Sequence, residues 1–162
     1  MKQLLTVLCL SALLIIAAQH TEAQSMGSSY KTALGVKFYP GGITLKHFVG
    51  NNRALEGLGY FWGHGFRFTG LYEIHGDIKD APGLKWYVGP GAHIGVYNEG
   101  WYYNSHYYND GDLSLGIDGV LGLDYKINGA PINLSIDVQP TFELLNHAYL
   151  TAWGGLGIRY TF

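Results

Sequence analysis

Between Leu113 and Leu144 apolar and polar residues alternate with a period of two. Odd positions 113–127 read Leu, Leu, Ile, Gly, Leu, Leu, Tyr, Ile, and the even positions between them read Ser, Gly, Asp, Val, Gly, Asp, Lys. After Asn128-Gly129-Ala130-Pro131 the parity reverses: even positions 132–144 are Ile, Leu, Ile, Val, Pro, Phe, Leu, against Asn, Ser, Asp, Gln, Thr and Glu. Successive strand side chains point to opposite faces, so the pattern predicts two strands, each with one apolar and one polar face. Asn128-Gly129 is expected to supply the pair of positive φ angles a tight hairpin needs. That turn sets Ile127 against Ala130, Leu123 against Leu134 and Asp124 against Asn133. Strands of this length suit a tilted crossing of a bilayer, which takes about 10 residues.

The same alternation marks six further segments, at 30–39, 43–49, 54–61, 66–76, 84–97 and 153–162, of which 54–61 is the weakest. Pro40-Gly41-Gly42, Gly50 to Arg53, and Asp77 to Gly83 read as turns. Eight strands, an even number, bring both termini to one side of a closed barrel. The predicted fold class is all-β, an eight-stranded antiparallel up-and-down transmembrane β-barrel, and closure would leave no unpaired edge in hydrocarbon. A soluble barrel that turns its apolar face inward around a ligand is the competing architecture. Against it, aromatics of the apolar face gather at strand ends: Tyr30, Trp86, Tyr125, Tyr160 and Phe162 on the terminus side, Phe38, Phe61, Phe66 and Phe142 on the other. Two aromatic belts around an aliphatic band suit a lipid-facing wall.

The amino terminus fits that location. Lys2 precedes an uncharged run from Leu4 to Ala18, and Thr21-Glu22-Ala23 offers small residues at cleavage spacing. Residues 1–23 are expected to be a cleaved signal peptide, leaving 24–162 as the barrel domain. The single cysteine, Cys9, falls within the signal, so the mature chain is expected to have no disulfide. Ten Lys and Arg against twelve Asp and Glu leave a formal net charge of −2, which gives no support for nucleic-acid binding.

The stretches Gly42-Ile43-Thr44-Leu45-Lys46-His47-Phe48, Gly89-Pro90-Gly91-Ala92-His93-Ile94-Gly95 and Gly116-Ile117-Asp118-Gly119, with the ending Gly157-Ile158-Arg159-Tyr160-Thr161-Phe162, carry a resemblance. Over essentially the whole mature part the chain resembles small Gram-negative outer-membrane β-barrel proteins of the OmpX and OmpA-transmembrane-domain type, most like short Bacteroidetes barrels. The resemblance implies location in the cell outer membrane, contact with its lipid and lipopolysaccharide, and delivery by periplasmic chaperones to the barrel-assembly machinery. The terminal alternation of Leu156, Ile158, Tyr160 and Phe162 is what such families present to that machinery as an assembly signal. It implies no activity, because one fold hosts many functions.

The polar face carries Lys31, Lys37, Lys46, Arg67, Lys85, Lys126 and Arg159 against Glu56, Glu73, Asp118, Asp124, Asp137 and Glu143. One reading is the lining of a narrow passive pore. The reading favoured here is a paired, hydrogen-bonded plug, because eight strands leave a lumen that side chains fill and buried charges need partners. His75 and His93 are expected to be donors within it. A second candidate region is 97–112, which holds Trp101, Tyr102, Tyr103, His106, Tyr107 and Tyr108 among Asn, Ser and Asp. Such residues give contact area and hydrogen bonds at low entropic cost, so this segment is expected either to bind an extracellular ligand or to extend the neighbouring strands. His64, His106 and His147 share that end with Asp110 and Asp112, but their spacing is not that of a metal site, and no metal or other cofactor is expected. A lipid A-modifying enzyme is the least favoured class: no strand carries Ser and His two apart on one face, and Ser105-His106 are adjacent. The expectation is a monomeric, non-enzymatic barrel with a structural or surface-binding role.

Overall fold

The computed structural model describes residues 29–97, 101–103, 106–108, 111–145 and 148–162; the expected signal peptide and Cys9 lie outside them. Ten strands follow one another: β1 (Thr32–Phe38), β2 (Gly42–Gly50), β3 (Arg53–Trp62), β4 (Gly65–Asp77), β5 (Leu84–Tyr97), β6 (Trp101–Tyr103), β7 (His106–Tyr108), β8 (Asp112–Lys126), β9 (Ile132–Glu143) and β10 (Tyr149–Thr161). Eight of them close an antiparallel barrel in the order β1-β10-β9-β8-β5-β4-β3-β2, while β6 and β7 form a separate two-stranded sheet. The barrel shuts where Ala33 pairs with Thr161, reinforced by Thr32 and Phe162 exchanging backbone hydrogen bonds of 3.0 and 2.9 Å. Both termini of the barrel therefore lie at one end. The β2–β3, β4–β5 and β8–β9 turns share that end, and the connection carrying β6 and β7 stands at the far end.

The two faces sort as their chemistry requires in opposite senses. Leu121 and Ile136 are 56% and 53% exposed on the outside, whereas Lys46 and Arg159 are 0% and 1% exposed inside. The outward face is mostly aliphatic at mid-strand, with Phe68 and Tyr72 of β4 as exceptions, and aromatic at its rims, with Trp86, Tyr125, Tyr160 and Phe162 at the terminus end and Phe38, Phe61, Phe66 and Phe142 at the far end. Tyr30 departs from that arrangement. It precedes β1, and its hydroxyl turns inward to donate to both Asp124 oxygens at 3.0 Å. Burial and that carboxylate hold its phenol well above the ordinary value, so it remains a donor.

Other expectations are corrected by backbone chemistry. The β8–β9 register pairs Asp124 with Ser135 and Leu123 with Ile136, two residues away from that of a two-residue Asn-Gly turn. Pro131 has no N–H for the ladder, so pairing starts beyond it, closed by the Ile127 N–H on the Ile132 carbonyl at 2.9 Å. Gly129 has φ +78°, but Asn128 is not in the left-handed region, so the turn is not of the mirror-image type. Faces survive the shift because it is an even number of residues. β3, the weakest segment by alternation, is a full ten-residue strand, and β10 begins at Tyr149, four residues before Trp153.

The register is open to direct measurement. With Ile127 and Ile132 hydrogen-bonded, Asp124 and Ser135 form a non-hydrogen-bonded pair, whose Cα atoms approach to about 4.5 Å. A strong Hα–Hα Overhauser contact is expected between Asp124 and Ser135 in micelle-embedded protein; a contact between Asp124 and Asn133 would restore the tight turn.

Candidate functional site: the barrel interior

Every strand of the barrel sends polar side chains inward, and they meet in stacked layers. Nearest the termini, Arg159 from β10 donates to Asn133 Oδ1 at 2.9 Å, Ser135 Oγ at 2.8 Å and Thr44 Oγ1 at 3.1 Å, and its Nη2 pairs with Glu56. Lys46 from β2 reaches Glu73 at 2.8 Å, Glu56 at 3.3 Å and Asp124 at 3.4 Å. Asn133 completes the layer by donating to Asp124 at 2.9 Å. His75 sets its Nε2 2.9 Å from Glu73 and stacks on Tyr87, ring centroids 5.1 Å apart, while its Nδ1 has no hydrogen-bond partner.

Higher up, Lys37 and Asp137 pair at 2.5 Å, and Asp137 also accepts from Tyr87 at 2.6 Å and Gln139 at 3.0 Å. Gly122 makes this possible. A Cβ there would lie 2.5 Å from the Tyr87 ring and 2.7 Å from Asp137, so only glycine lets the two meet. The same middle of the lumen is apolar on its other side, where Leu58, Leu71 and Val120 pack with Tyr60 and Tyr87.

At the far end Arg67 donates to Asp118 at 2.6 Å and Thr141 at 3.1 Å. Opposite it, His93 from β5 lies over Gly116 of β8, its pairing partner. That places the ring between two β8 residues on the same inward face, Asp118 at 3.0 Å from Nδ1 and Ser114 at 3.2 Å from Nε2. Rings from Trp62, Tyr97 and Trp153 pack against one another edge-on and tilted beside this layer, with the Arg67 guanidinium 4.6 Å from the Trp153 ring centre.

Of the thirteen charged residues expected on the polar face, Lys37, Lys46, Glu56, Arg67, Glu73, Asp118, Asp124, Asp137, Glu143 and Arg159 meet in these layers. Lys85 does not: it pairs with exposed Asp77 at 2.7 Å, on the turn side of the wall. Lys126 clamps the β8–β9 turn, donating to the carbonyls of Ile127 and Ala130 at 3.0 and 2.6 Å. Lys31 is exposed. Of the seven Lys and Arg on the polar face, four are thus ion-paired with the six carboxylates, with His75 and His93 set against the acidic groups.

The meeting of Ser114, His93 and Asp118 was not legible from the sequence, because the three come from two strands. Its hydrogen bonding is that of an ion network. Ser114 donates to Glu143 at 2.9 and 3.1 Å, and His93 Nε2 has a Glu143 oxygen at 3.0 Å, so the hydroxyl proton is directed at a carboxylate and not at the imidazole. Among the described residues no cluster of His, Cys, Asp and Glu has the geometry of a metal site; His147 and Asp110 lie outside them. Of the aromatic loop residues, Trp101 to Tyr103 and His106 to Tyr108 form β6 and β7 as a hairpin of their own, not an extension of β5 and β8.

The network makes a contrast that unfolding can read. Arg159→Met leaves Glu56 and Asp124 buried without their guanidinium, so a loss of about 3–5 kcal/mol is expected in denaturant titration of the refolded barrel. Lys85→Met removes only a partly exposed pair and is expected to cost less than about 1 kcal/mol. Gly122→Val forces Tyr87 away from Asp137 and is expected to cost about 1–3 kcal/mol through overpacking.

No protein-family model, curated protein or solved structure matches the chain.

Proposed function

We propose that the chain is an integral outer-membrane β-barrel, monomeric and non-enzymatic, whose plugged interior gives rigidity and whose far-end connections present a binding surface outside the cell. The observation that carries this reading is the inversion of the usual burial rule: ion-paired Arg, Lys, Asp and Glu fill the lumen while the aliphatic face looks out between aromatic rims. In water such an outer surface would far exceed the few hundred Å² of apolar patch a soluble monomer tolerates. In hydrocarbon it is the expected wall, and closure satisfies the backbone. Lipid and lipopolysaccharide would then be its surroundings, and the assembly machinery with periplasmic chaperones its partners during biogenesis. Phe162, outward beside Tyr160 at 6.3 Å between ring centres, fits the role of a terminal assembly signal.

A passive pore is the lesser reading. The layer of Leu58, Leu71 and Val120, with aromatic rings above it and salt bridges on both sides, counts against a continuous water path. Planar-bilayer recordings of the reconstituted protein are expected to lack steady porin-like conductance, whereas stable openings that respond to lumen substitutions would favour the pore.

Membrane fractionation with heat-modifiable gel migration tests the location. Leu121→Arg puts a cation on the wall near mid-strand, at a cost of about 2–4 kcal/mol for a lipid-facing Arg at the midplane, and should abolish or sharply reduce insertion. Unimpaired insertion of this variant would contradict the lipid-facing wall. An epitope inserted between Asn104 and Ser105 should be reached by antibody on intact cells; detection only after permeabilisation would reverse the proposed orientation. Phe162→Ala is expected to lower the amount assembled in cells far more than the stability of the detergent-refolded barrel, and equal losses would make Phe162 a packing residue only.

A further inference from the structure

The terminus end of the lumen holds a cavity of about 410 Å³, bordered by Tyr30, Lys31, Phe48, Lys85, Asp124 and Lys126 among others. Its three lysines come from three strand ends: Lys31 just before β1, Lys85 at the start of β5 and Lys126 at the end of β8. β5 and β8 are neighbours in the barrel. β1 is separated from them by β9 and β10 on one side and by β2, β3 and β4 on the other, so Lys31 stands across the mouth from the other two. Tyr30 crosses the same gap. Its hydroxyl donates to both Asp124 oxygens at 3.0 Å, while its ring meets Phe48 of β2 edge-on at 5.1 Å between centres. Backbone bonds hold the rim: the Phe48 N–H donates to the Lys31 carbonyl at 2.8 Å and the Lys126 N–H to the Gly83 carbonyl at 2.9 Å.

Positive charge predominates around this mouth. Asp124 is already engaged, accepting from Tyr30 and from Asn133 at 2.9 Å, with Lys46 at 3.4 Å. Asp77, the partner of Lys85, has a side chain 84% exposed, so water competes for that pair and an incoming anion can replace it. Lys126 donates to the carbonyls of Ile127 and Ala130, neutral acceptors that leave its charge in place. A low-dielectric wall around a cleft of one sign focuses its field.

We infer that this mouth is a binding site for a small polyanion, a molecule carrying two or more separated phosphate or carboxylate groups. Ammonium groups on opposite sides of one cavity are met together only by anionic groups that are themselves apart, which selects against a single inorganic phosphate. Lysine, a compact point charge on a flexible stem, suits oxygens of either kind. A cavity of this volume takes a small molecule and not a polymer chain. The site lies at the opposite end from the proposed extracellular surface, and its chemistry is the same whichever way the barrel faces.

The test is a titration of the mature barrel in zwitterionic micelles, followed by amide NMR, with inorganic phosphate, citrate and inositol hexakisphosphate as probes. Citrate and inositol hexakisphosphate are expected to give saturable shifts at Lys31, Gly83 and Lys126, which border the cavity. They should bind at least about tenfold tighter than inorganic phosphate, the scale of one further charge-assisted contact. Lys31→Gln and Lys85→Gln should each weaken binding about tenfold and leave the remaining strand resonances in place. Lys79→Gln, an equal loss of charge on the exposed β4–β5 turn, should change it less than about twofold. Shifts that do not saturate, equal affinity for inorganic phosphate, or equal weakening by Lys79→Gln would overturn the inference. Phosphatidylcholine nanodiscs with and without cardiolipin separate two sources of the same chemistry. Loss of citrate binding only where cardiolipin is present makes a lipid headgroup the natural polyanion, and unchanged binding makes it a soluble molecule.

Discussion

Burying a charge away from water costs several kcal/mol unless it is paired and its remaining hydrogen-bonding positions are satisfied. The arrangement of this barrel follows from that constraint. Arg159 meets it by spanning β2, β3 and β9 through Thr44, Glu56, Asn133 and Ser135. Lys46 does the same by meeting three carboxylates at once. Each strand contributes one side of a pair, so the charged layers fix the relative stagger of strands far apart in sequence. Glycines on the inner face supply the room: where Gly122 or Gly116 stands, a ring from β5 lies across β8 and reaches its carboxylate.

The constraint also shapes the outside. With polar groups consumed in the lumen, the outer face of every long strand is left apolar, exposing Leu, Ile, Val and Phe well beyond the patch a soluble monomer usually shows, which is what supports the proposed lipid-facing wall. The wall and the plug are therefore one design read from two sides.

Much of this could be read from alternation alone. The bounds of β5 and the eight strands of the barrel follow from it, and so does the inward placement of Arg67, Asp118, Asp137 and Arg159, because a period of two says which residues share a face. What alternation cannot carry is pairing between strands distant in sequence, which is why the contact of His93 with Ser114 was invisible. Registers escaped for a local reason, the missing N–H of Pro131. β3 looked weak because its inward residues Leu58, Tyr60 and Trp62 belong to the apolar layer and its outward Gly57 and Gly59 carry no side chain. Parity extrapolated from β1 misplaces Tyr30 and Lys31, because the strand begins only at Thr32.

The sense of the two faces is the claim on which the rest depends, and spin labels report it most directly. Single cysteines at the outward positions 117, 121, 123 and 125 of β8, labelled in the reconstituted protein, can be probed with oxygen, which concentrates in lipid, and with a water-soluble nickel chelate. High oxygen and low nickel accessibility is predicted at 117, 121 and 123. Nickel access without oxygen access at 121 and 123 would contradict the lipid-facing wall.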